Sequence, residues 1–536
     1  MSIKTKTNVV VALGIVLMIG VMLLTECIGG QRKGQGGQNL GGRPNIVLIL
    51  TDDLDRNLGT IDKMPRLKEI LAGHGVTFPN MFVSESLCCP SRSSIQRSQY
   101  IHNHQVLGNS PPNGGFEKFH ALHEDESTIG TWLKAAGYRT GFMGKYLNGY
   151  PDTAAQNYVP PGWDDWNSPS GGNPYSEFSY TMNENGNLVQ YGTEPTDYMT
   201  DVLSKKATGF IQQAASDRKP FFLFVATYAP HQPATPAPRY ANAFPGEKAP
   251  RPPSYNEPDV SGKPAWIRSK PLLGPPARNQ MDDLFRRRLQ TMLSVRDLIE
   301  NLLDTLRKEG LLENTYLIFT SDNGFHMGEH RLHAGKLTPY EEDIRVPLFI
   351  RGPGIPAGQE REEIVGNIDL APTIAELAEA RVPDFVDGRS LVPLLRQEER
   401  PERWRAAFLV EQEETHFQPG PVKRLVLEPQ DPLEQQLAAA RQGVPAYAAL
   451  RTADHIYVRY GDGERELYDL RADPYELNNI IEKADPGFVE RLDRWLAVFR
   501  ECRGAGCREA DVAPRVEISI NPRELGISLS NHNVSR

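Results

Sequence analysis

Long clusters of basic residues are missing from this chain of 536 residues, which has 59 Lys and Arg against 68 Asp and Glu. The formal net charge is -9, so we expect no nucleic-acid partner. An anionic substrate is not excluded, because a few cations inside a pocket are enough to hold one. Charged residues make up 24% and hydrophobic residues 39% of the chain, which is typical of a folded protein with a large core.

A run of about 20 apolar residues, which a spanning helix usually needs, is also missing. The apolar stretch at 9–24 follows two lysines and precedes a stretch rich in Gly and Gln at 30–42. This order predicts a signal peptide or N-terminal anchor over residues 1–29, followed by a linker over 30–42. We therefore expect export, with the protein secreted, periplasmic or anchored at the cell surface. Lipid attachment at Cys27 is an alternative that would give a membrane tether.

Cysteine is scarce, with five residues in the whole chain. Cys502 and Cys507 flank a short Arg-Gly-Ala-Gly loop that is able to close as a disulfide in an oxidising compartment. Cys88 and Cys89 are adjacent and cannot easily pair with each other without strain. Their surroundings indicate chemistry rather than cross-linking.

Three short, continuous apolar runs at 46–50, 221–226 and 316–320 are typical of strands buried on both faces of a parallel sheet. In open α/β sheets, polar residues just after such strands build the functional site. The polar residues that follow these runs are Asp52 and Asp53, then His231, then Asp322 and Asn323.

Amphipathic spacing predicts helices over 289–306 and 128–136, and together with the strands it indicates a large α/β domain over 43–399. The proline-rich stretch at 230–276 is too interrupted for regular structure. It is equally well interpreted as a binding rim or as a surface excursion.

A different pattern begins after residue 400. Three short strands with antiparallel character are predicted at 447–451, 456–460 and 465–469, with a closing helix over 488–499. We expect a small α+β subdomain over 400–507 with an antiparallel sheet, and a tail over 508–536.

The segment Cys88-Cys89-Pro90-Ser91-Arg92 resembles the type I sulfatase motif Cys-x-Pro-Ser-Arg, which lies at the start of a helix. The resemblance extends from Arg43 to about Ile480 and implies an alkaline-phosphatase-like α/β sandwich with a mixed, mostly parallel sheet flanked by helices. Further matching segments lie at 43–53, 141–146, 228–233, 321–324, 335–336, 343–347, 368–373 and 466–474.

In that family a formylglycine-generating enzyme oxidises the cysteine, and one hydroxyl of the hydrated aldehyde attacks sulfur while the other later expels sulfate. The resemblance implies these catalytic residues: Cys88, Arg92, Lys145, His231 and Lys336. It implies these metal ligands: Asp52, Asp53, Cys88, Asp322 and Asn323. Because the Asp and Asn ligands offer only oxygen, they suit Ca²⁺, whereas zinc would be expected to recruit His or Cys ligands.

Three departures from the family pattern are visible. Gln96-Arg97-Ser98 replaces the usual Leu-Thr-Gly that assists the modifying enzyme, so we expect slower conversion of Cys88. Leu147 stands where arylsulfatase-like members carry a histidine, which leaves one partner of the diol unassigned. Ile101 replaces the proline usual before His-Asn-His.

The segments at 144–148 and 102–104 are similar to the branch containing N-acetylglucosamine-6-sulfatases and heparan sulfate 6-O-endosulfatases. This implies a 6-O-sulfated glucosamine, free or within a glycosaminoglycan, as substrate, besides simple aryl sulfates. The long basic insertion of an endosulfatase is missing, which favours exo action or small oligosaccharides.

Two alternatives remain open at this point. A phosphate or phosphonate monoester hydrolase can use the same fold, since the two anions differ mainly in charge. A catalytically inactive glycan-binding protein that has lost modification at Cys88 would belong to another class. The retained metal and anion-binding positions argue against such decay.

Overall fold

A computed structural model describes residues 42–396, 401, 403–413 and 444–512. The predicted signal or anchor, Cys27, nearly all of the predicted linker and most of the predicted tail lie outside these residues. Across the part of the chain that is described, no helix combines the length and the apolar character required to cross a membrane.

Strands of the described residues form three sheets. The largest contains ten strands: β1 (Asn45–Thr51), β2 (Val76–Thr77), β4 (Arg139–Gly144), β5 (Asp165–Gly172), β6 (Tyr180–Glu184), β7 (Asn187–Tyr191), β8 (Phe221–Ala226), β9 (Thr315–Ser321), β10 (Leu348–Arg351) and β11 (Gln359–Glu360). The small sheet pairs β3 (Met81–Phe82) with β12 (Val365–Gly366). The third contains β13 (Ala407–Gln412), β14 (Tyr447–Thr452), β15 (His455–Tyr460) and β16 (Arg465–Asp469).

The described helices are α1 (Pro65–Ala72), α2 (Cys88–Arg97), α3 (Ile101–His104), α4 (Gly115–Ala121), α5 (Ile129–Ala135), α6 (Met199–Asp217), α7 (Ala265–Arg268), α8 (Pro275–Lys308), α9 (Glu341–Ile344), α10 (Leu370–Leu377), α11 (Val392–Leu395), α12 (Pro486–Arg500) and α13 (Ala505–Ala510). Short 3₁₀ turns occur at Glu124–Glu126, Pro174–Ser176, Pro195–Asp197, Pro238–Tyr240, Leu312–Asn314 and Asn367–Asp369.

The strand order of the large sheet is β11-β2-β10-β9-β1-β8-β4-β5-β6-β7. The five strands β9, β1, β8, β4 and β5 run parallel, while antiparallel pairs occur toward both edges. In the central register Leu48 of β1 lies beside Phe224 of β8 and Ile318 of β9. The predicted mixed, mostly parallel sheet is confirmed.

Strand β1 shows why both faces of this sheet are covered. Val47 and Ile49 join one buried apolar cluster, which includes side chains of α1, α6 and α8. Leu48 joins a second cluster on the opposite face, which includes side chains of α2, α5 and α10. Because side chains alternate between faces along a strand, a continuous apolar run requires helices on both sides. The result is a helix–sheet–helix sandwich.

The helix predicted at 289–306 is longer than its apolar pattern indicated. It begins at Pro275 and runs to Lys308. Proline is well tolerated in the first helical turn, since its missing N–H would have no partner there. The following turns are rich in Arg, Gln, Met and Leu, which are good helix formers, so the helix starts before its buried stripe does.

The C-terminal sheet contains the three predicted antiparallel strands and a fourth that was not predicted, β13. Helix α12 packs on it, and a third apolar cluster joins both to residues of the large α/β part such as Phe82 and Tyr340. The antiparallel character follows from the Gly461-Asp462-Gly463 turn between β15 and β16. The predicted fold class is therefore confirmed for both parts.

The proline-rich stretch is largely irregular, as predicted, and part of it packs against the C-terminal sheet. Trp266 and Ile267 are buried in the cluster that includes the C-terminal sheet. The buried Lys263 ammonium donates to the Tyr468 hydroxyl at 2.9 Å. The stretch therefore connects the loops after β9 with the C-terminal sheet.

The disulfide that the spacing of Cys502 and Cys507 suggested is present. Its loop is tied to α3, because His102 Nε2 lies 3.0 Å from the Cys502 carbonyl oxygen and His102 Nδ1 lies 2.6 Å from Glu411 Oε1 on β13. Burial by itself would lower the pKa of His102, but the hydrogen bond and charge of Glu411 raise it above its ordinary value.

This ion pair predicts a pH-dependent contribution to stability. A histidine with a raised folded-state pKa stabilises fully below its unfolded pKa, near 6.5, and loses that contribution as pH rises through the folded value. His102→Gln should therefore lower the free energy of unfolding by about 2 kcal/mol at pH 5.5 and by less at pH 9. Thermal unfolding across this pH range measures it.

The control is His123→Gln, because His123 pairs with Glu126 at 3.1 Å on the surface, where its side chain is 75% exposed. This change should leave the thermal midpoint unaltered at both pH values. An equal loss from His102→Gln at pH 5.5 and pH 9 would contradict the assigned ion pair.

Candidate active site

Four adjacent parallel strands, β9, β1, β8 and β4, deliver most of the predicted site residues at their carboxyl ends. Lys145 directly follows β4, and His231 lies five residues after the end of β8. Asp52 and Asp53 follow β1, while Asp322 and Asn323 follow β9. Because the carboxyl ends of parallel strands lie at one edge of the sheet, this edge collects side chains far apart in sequence.

Gly144 allows two of these strands to approach closely. Its φ is +106°, and a Cβ atom there would lie 1.8 Å from the Ala226 carbonyl oxygen. Because Gly144 has no side chain, the strands lie close enough for the Lys145 N–H to donate to the Ala226 carbonyl at 2.8 Å. The glycine thus fixes where the Lys145 side chain leaves the sheet.

Cys88 is the first residue of α2 and is fully buried. Its Sγ atom lies 3.4 Å from Asp52 Oδ1 and 2.7 Å from Lys336 Nζ. The same lysine donates to Asp53 Oδ1 at 2.5 Å. Lys336, which belongs to the loop after β9, therefore bridges the cysteine and the first strand end.

Arg92 lies one turn further along α2 and is also buried. Its Nε donates to Asp322 Oδ2 at 2.8 Å, and its Nη1 donates to the Lys145 carbonyl at 2.7 Å. Its Nη2 lies 3.7 Å from Asp52 Oδ1. The guanidinium therefore links the helix to the ends of β9, β4 and β1.

Lys145 and His231 complete the set. Lys145 Nζ donates to Asp52 Oδ2 at 2.6 Å. His231 Nδ1 donates to the Gln232 carbonyl at 2.5 Å, which turns Nε2 toward Asp53 Oδ2 at 3.5 Å. All five residues predicted to be catalytic are thus brought together around Cys88.

The predicted metal ligands meet at the same point, except that His231, which was predicted to be catalytic, lies among them and Asp322 lies beside them. Ligand atoms of Asp52, Asp53, Cys88 and His231 all lie within 4.8 Å of one another. Asp322 is adjacent, but its oxygens accept from the Asp53 and Asn323 N–H groups and from Arg92.

Two buried oxygens of this set, Asp53 Oδ2 and Asn323 Oδ1, have no hydrogen-bond partner. Buried polar atoms are nearly always paired, so these two are fitted to hold a cation. Because the Asp and Asn atoms are oxygen donors, the site fits a hard cation such as Ca²⁺.

The charges of the neighbours set the protonation states. Burial opposes ionisation of Asp52, but Lys145, followed by His231 and Arg92, lowers its pKa below the usual range. Burial likewise opposes ionisation of Asp53, whose pKa Lys336 lowers. Burial, reinforced by the charge of Asp52, raises the pKa of the Cys88 thiol well above its ordinary value. The unmodified cysteine is therefore a protonated thiol and a poor nucleophile.

A buried arginine that the sequence interpretation did not assign to the site supports it from behind. Arg288 on α8 is fully buried, and its guanidinium donates to the carbonyl oxygens of Asp53 and Pro230. It also lies 3.4 Å from the Asp55 carboxylate. The sequence signal that could have identified it is its position directly before the apolar residues of α8, because a charged residue is rarely buried without a partner.

A second unassigned group positions the start of α2. The Ser91 hydroxyl donates to the Asp322 carbonyl oxygen, and Asn367 Nδ2 donates to Ser91 Oγ at 2.9 Å. Asn109 Oδ1 accepts from the Cys89 N–H at 2.8 Å. Nothing in the local sequence indicated these contacts, because the two residues of each contact are 20 to 276 positions apart in the chain.

The departures from the family motif have defined structural positions. Ser98 ends α2 in a left-handed conformation with φ +58°, a backbone state in which glycine is the least strained residue. The Ser98 hydroxyl donates to the Ile368 carbonyl, which gives this position a partner that glycine cannot offer. Leu147 is buried in the apolar cluster around Trp166. It offers no polar atom to the site.

Comparison with known proteins relates this geometry to a family. The family profile described as Sulfatase matches residues 44–380. The N-acetylglucosamine-6-sulfatase of Capra hircus is 35% identical over 537 residues, which cover 95% of this chain and 91% of that protein. The putative extracellular sulfatase Sulf-1 homolog of Caenorhabditis elegans is 40% identical, over 68% of this chain and 52% of that protein.

Among solved structures, a protein in complex with its substrate D-glucosamine-2-N,6-O-disulfate superposes with a TM-score of 0.70. It is 26% identical, and the match covers 88% of this chain and 99% of that chain.

The role of Arg288 predicts a specific kinetic effect. Arg288→Lys keeps the charge but cannot hold both carbonyl oxygens, so the strand-end loops should shift. A misplacement of about 1 Å costs roughly 100-fold in turnover, so kcat on a sulfate ester should fall about 10- to 100-fold with a smaller change in KM. Steady-state kinetics measure both constants.

Arg286→Lys on the same helix is the matched control, because Arg286 forms an ion pair with the exposed Asp283. This variant should keep the parent kcat. A parent kcat in Arg288→Lys would show that the arginine does not position the site.

Proposed function

The chain belongs to the sulfatase family of sulfuric ester hydrolases, and we propose that it removes 6-O-sulfate from N-acetylglucosamine or from a glycosaminoglycan-type sugar. The observation that carries the chemistry is the convergence of two lysines, an arginine and a histidine on the buried Cys88. The relatives named N-acetylglucosamine-6-sulfatase and the sugar-disulfate complex support the substrate class.

The nucleophile of this proposal is residue 88 after oxidation of Cys88 to formylglycine by a formylglycine-generating enzyme. As a hydrated aldehyde, residue 88 would offer one hydroxyl to attack sulfur and a second to expel sulfate as the aldehyde reforms. The raised pKa of the unmodified thiol supports the need for this conversion. Cys88 lies at the N-terminus of α2, where backbone N–H groups also favour an anion.

Asp52, Asp53, Asn323 and residue 88 would hold a Ca²⁺ ion, with Asp322 adjacent. The ion would supply positive charge that neutralises the developing negative charge of the reaction. The unpartnered oxygens of Asp53 and Asn323 support this assignment.

The side chains of the site provide the remaining steps. Lys145 and Lys336 would hold sulfate oxygens, since each ammonium lies within hydrogen-bond distance of the carboxylates around residue 88. His231 would give a proton to the leaving alcohol from Nε2, because its Nδ1 hydrogen is engaged by the Gln232 carbonyl. Arg92 would orient residue 88 through its fixed contacts with Asp322 and the Lys145 carbonyl.

The charge balance of the site favours an anionic ester. The three carboxylates of Asp52, Asp53 and Asp322 are matched by the three cations of Arg92, Lys145 and Lys336, so these six side chains carry no net charge. A divalent cation would give this buried site a surplus of positive charge, and low dielectric surroundings strengthen its attraction for a sulfate group.

A cavity lined by chain neighbours of His231 and Lys336 supports a small substrate. Its volume is about 230 Å³, and its lining includes Gln232 next to His231, Ala334 near Lys336, and the polar side chains of Arg287 and His333. Pockets for drug-sized ligands span about 300–1,000 Å³, so this cavity fits one sugar residue better than a polymer. We therefore propose exo action on a terminal sugar.

An exported location completes the proposal. The signal or anchor over residues 1–29 predicts it, and the disulfide between Cys502 and Cys507 is of the kind that persists in oxidising compartments. The extracellular sulfatase relative supports the same location.

Mass spectrometry of the tryptic peptide around residue 88 tests the nucleophile, with an expected loss of about 18 Da relative to cysteine on conversion to formylglycine.

Cys88→Ala should abolish sulfate release, by at least about 1,000-fold in kcat, because the covalent step is lost. Cys89→Ala is the matched control, since the adjacent thiol packs in the apolar cluster, and it should keep at least about a tenth of the activity. Full activity of a protein with unmodified Cys88 would refute the mechanism.

Kinetics on paired esters test the substrate class. N-acetylglucosamine-6-sulfate should be hydrolysed with a kcat/KM at least about 100-fold above that for N-acetylglucosamine-6-phosphate, because the site is matched to a singly charged ester. Preferential hydrolysis of the phosphate would instead establish the phosphate or phosphonate monoester alternative. Binding of the sulfated sugar without turnover of either ester would establish the inactive glycan-binding alternative.

A further inference from the structure

A second group of buried titratable side chains lies outside the site around Cys88. Ligand atoms of His330, Glu342 and Glu476 all lie within 4.8 Å of one another, and all three residues are buried. His330 belongs to the loop after β9, Glu342 to α9, and Glu476 to the segment after β16. The group therefore joins the catalytic loops to the C-terminal part of the chain.

The side chains of this group are held in fixed orientations. His330 Nδ1 lies 2.8 Å from Glu257 Oε2, which makes Nδ1 the protonated nitrogen and leaves the lone pair on Nε2. Glu476 Oε2 accepts from the Glu341 N–H at 3.0 Å. His330 and Glu476 have φ values of +53° and +54°. Non-glycine residues rarely adopt this left-handed conformation, and such strain often accompanies a functional site.

The remaining atoms of the group have no partner. His330 Nε2, Glu342 Oε2 and Glu476 Oε1 are buried and lack a hydrogen bond, and so does Glu329 Oε1 nearby. Leaving one buried polar atom unpaired costs about 1–3 kcal/mol, so a cluster of them points to a shared ligand.

The sign of the charge indicates a cation. Four carboxylates, of Glu257, Glu329, Glu342 and Glu476, surround this point, and the charges of Glu329 and Glu476 add to burial in raising the pKa of Glu342 well above its ordinary value. Lys263 supplies one positive charge, but its ammonium is engaged by the Tyr468 hydroxyl and the Glu476 carbonyl oxygen. When these acidic groups are ionised, one ammonium does not compensate them, so the cluster favours a bound cation.

We propose that His330, Glu342 and Glu476 form a second metal site that binds a first-row divalent cation of the zinc type. One imidazole nitrogen and two carboxylate oxygens are ligands that zinc accepts, whereas Ca²⁺ prefers oxygen alone. The Glu257–His330 pair has the carboxylate–histidine arrangement that orients metal-bound imidazoles.

A cavity provides a path for the cation. It has a volume of about 580 Å³, and its lining includes Glu329, Glu342 and Tyr475, the last of which directly precedes Glu476. A binding site needs such an entry path as well as correct ligands.

The site would act by stabilising the loop that carries Asn323. The Glu342 carbonyl accepts from the Phe325 N–H at 2.9 Å, and the Asp343 carbonyl accepts from the Gly324 N–H at 2.8 Å. A cation held between Glu342 and Glu476 would therefore fix this loop against the C-terminal segment. The role is structural, and it does not depend on sulfate ester hydrolysis.

Metal analysis of the full-length protein tests the proposal. The protein is stripped with a chelator, dialysed against Zn²⁺ in the presence of excess Ca²⁺, and analysed by elemental mass spectrometry. We expect one tightly held zinc per chain, which His330→Gln and Glu342→Gln each reduce to about a tenth or less. Co²⁺ in place of Zn²⁺ should give visible d–d absorption that His330→Gln abolishes.

Two control variants separate this site from the one at Cys88. Glu177→Gln alters another buried glutamate that also has an unpartnered oxygen, and it should keep the zinc. Asp322→Asn should lower calcium content and keep the zinc, so a failure of the proposed calcium site is distinguishable. Absence of zinc and of the cobalt absorption in the parent protein would overturn the proposal, and so would its loss in Asp322→Asn but not in Glu342→Gln. Because the parent protein is measured directly, a variant that fails to fold does not prevent the test.

Discussion

Ion pairing among buried side chains at the carboxyl edge of the large sheet is the constraint on which the rest of the molecule depends. Lys145 with Asp52, and Lys336 with Asp53, are fully desolvated pairs, and removing one partner of such a pair costs about 3–5 kcal/mol. The geometry must therefore be supported from every side. Arg288 donates to the backbone carbonyl of Asp53, and Arg92 of α2 donates to the side chain of Asp322. The fold serves mainly to hold these charges at fixed distances.

The supporting elements come from the whole length of the chain. The central parallel strands bring β1, β4, β8 and β9 side by side, so that four strand ends contribute to one site. The proline-rich stretch and the C-terminal sheet then pack against the loops that follow β9. Lys336 and the second cluster around His330 both lie on those loops. Stability of the C-terminal part and order around Cys88 are consequently connected through the same segment.

Much of this organisation was predictable from local pattern. The apolar runs that became β1, β8 and β9 are continuous because both faces of the sheet are covered, and this local signal does not depend on distant partners. The motif beginning at Cys88 marked the candidate nucleophile, and the polar residues after the strands marked part of its surroundings. The early start of α8 at Pro275 and the strand β13 escaped prediction. The first turns of α8 lie before its buried apolar stripe, so the periodicity did not mark them, and β13 is identified by its pairing with β14.

The sequence by itself determined the mostly parallel sheet, because this follows from residue types and short spacings, and its resemblance to a known family implied the identities of the residues that meet at Cys88. Only the tertiary structure decided which charges pair, since Lys336 and Asp53 are separated by 283 residues. It also decided that Arg288 faces the strand ends and that His330, Glu342 and Glu476 converge. Such contacts form where segments distant in the chain are buried together, so no local sequence pattern predicts them.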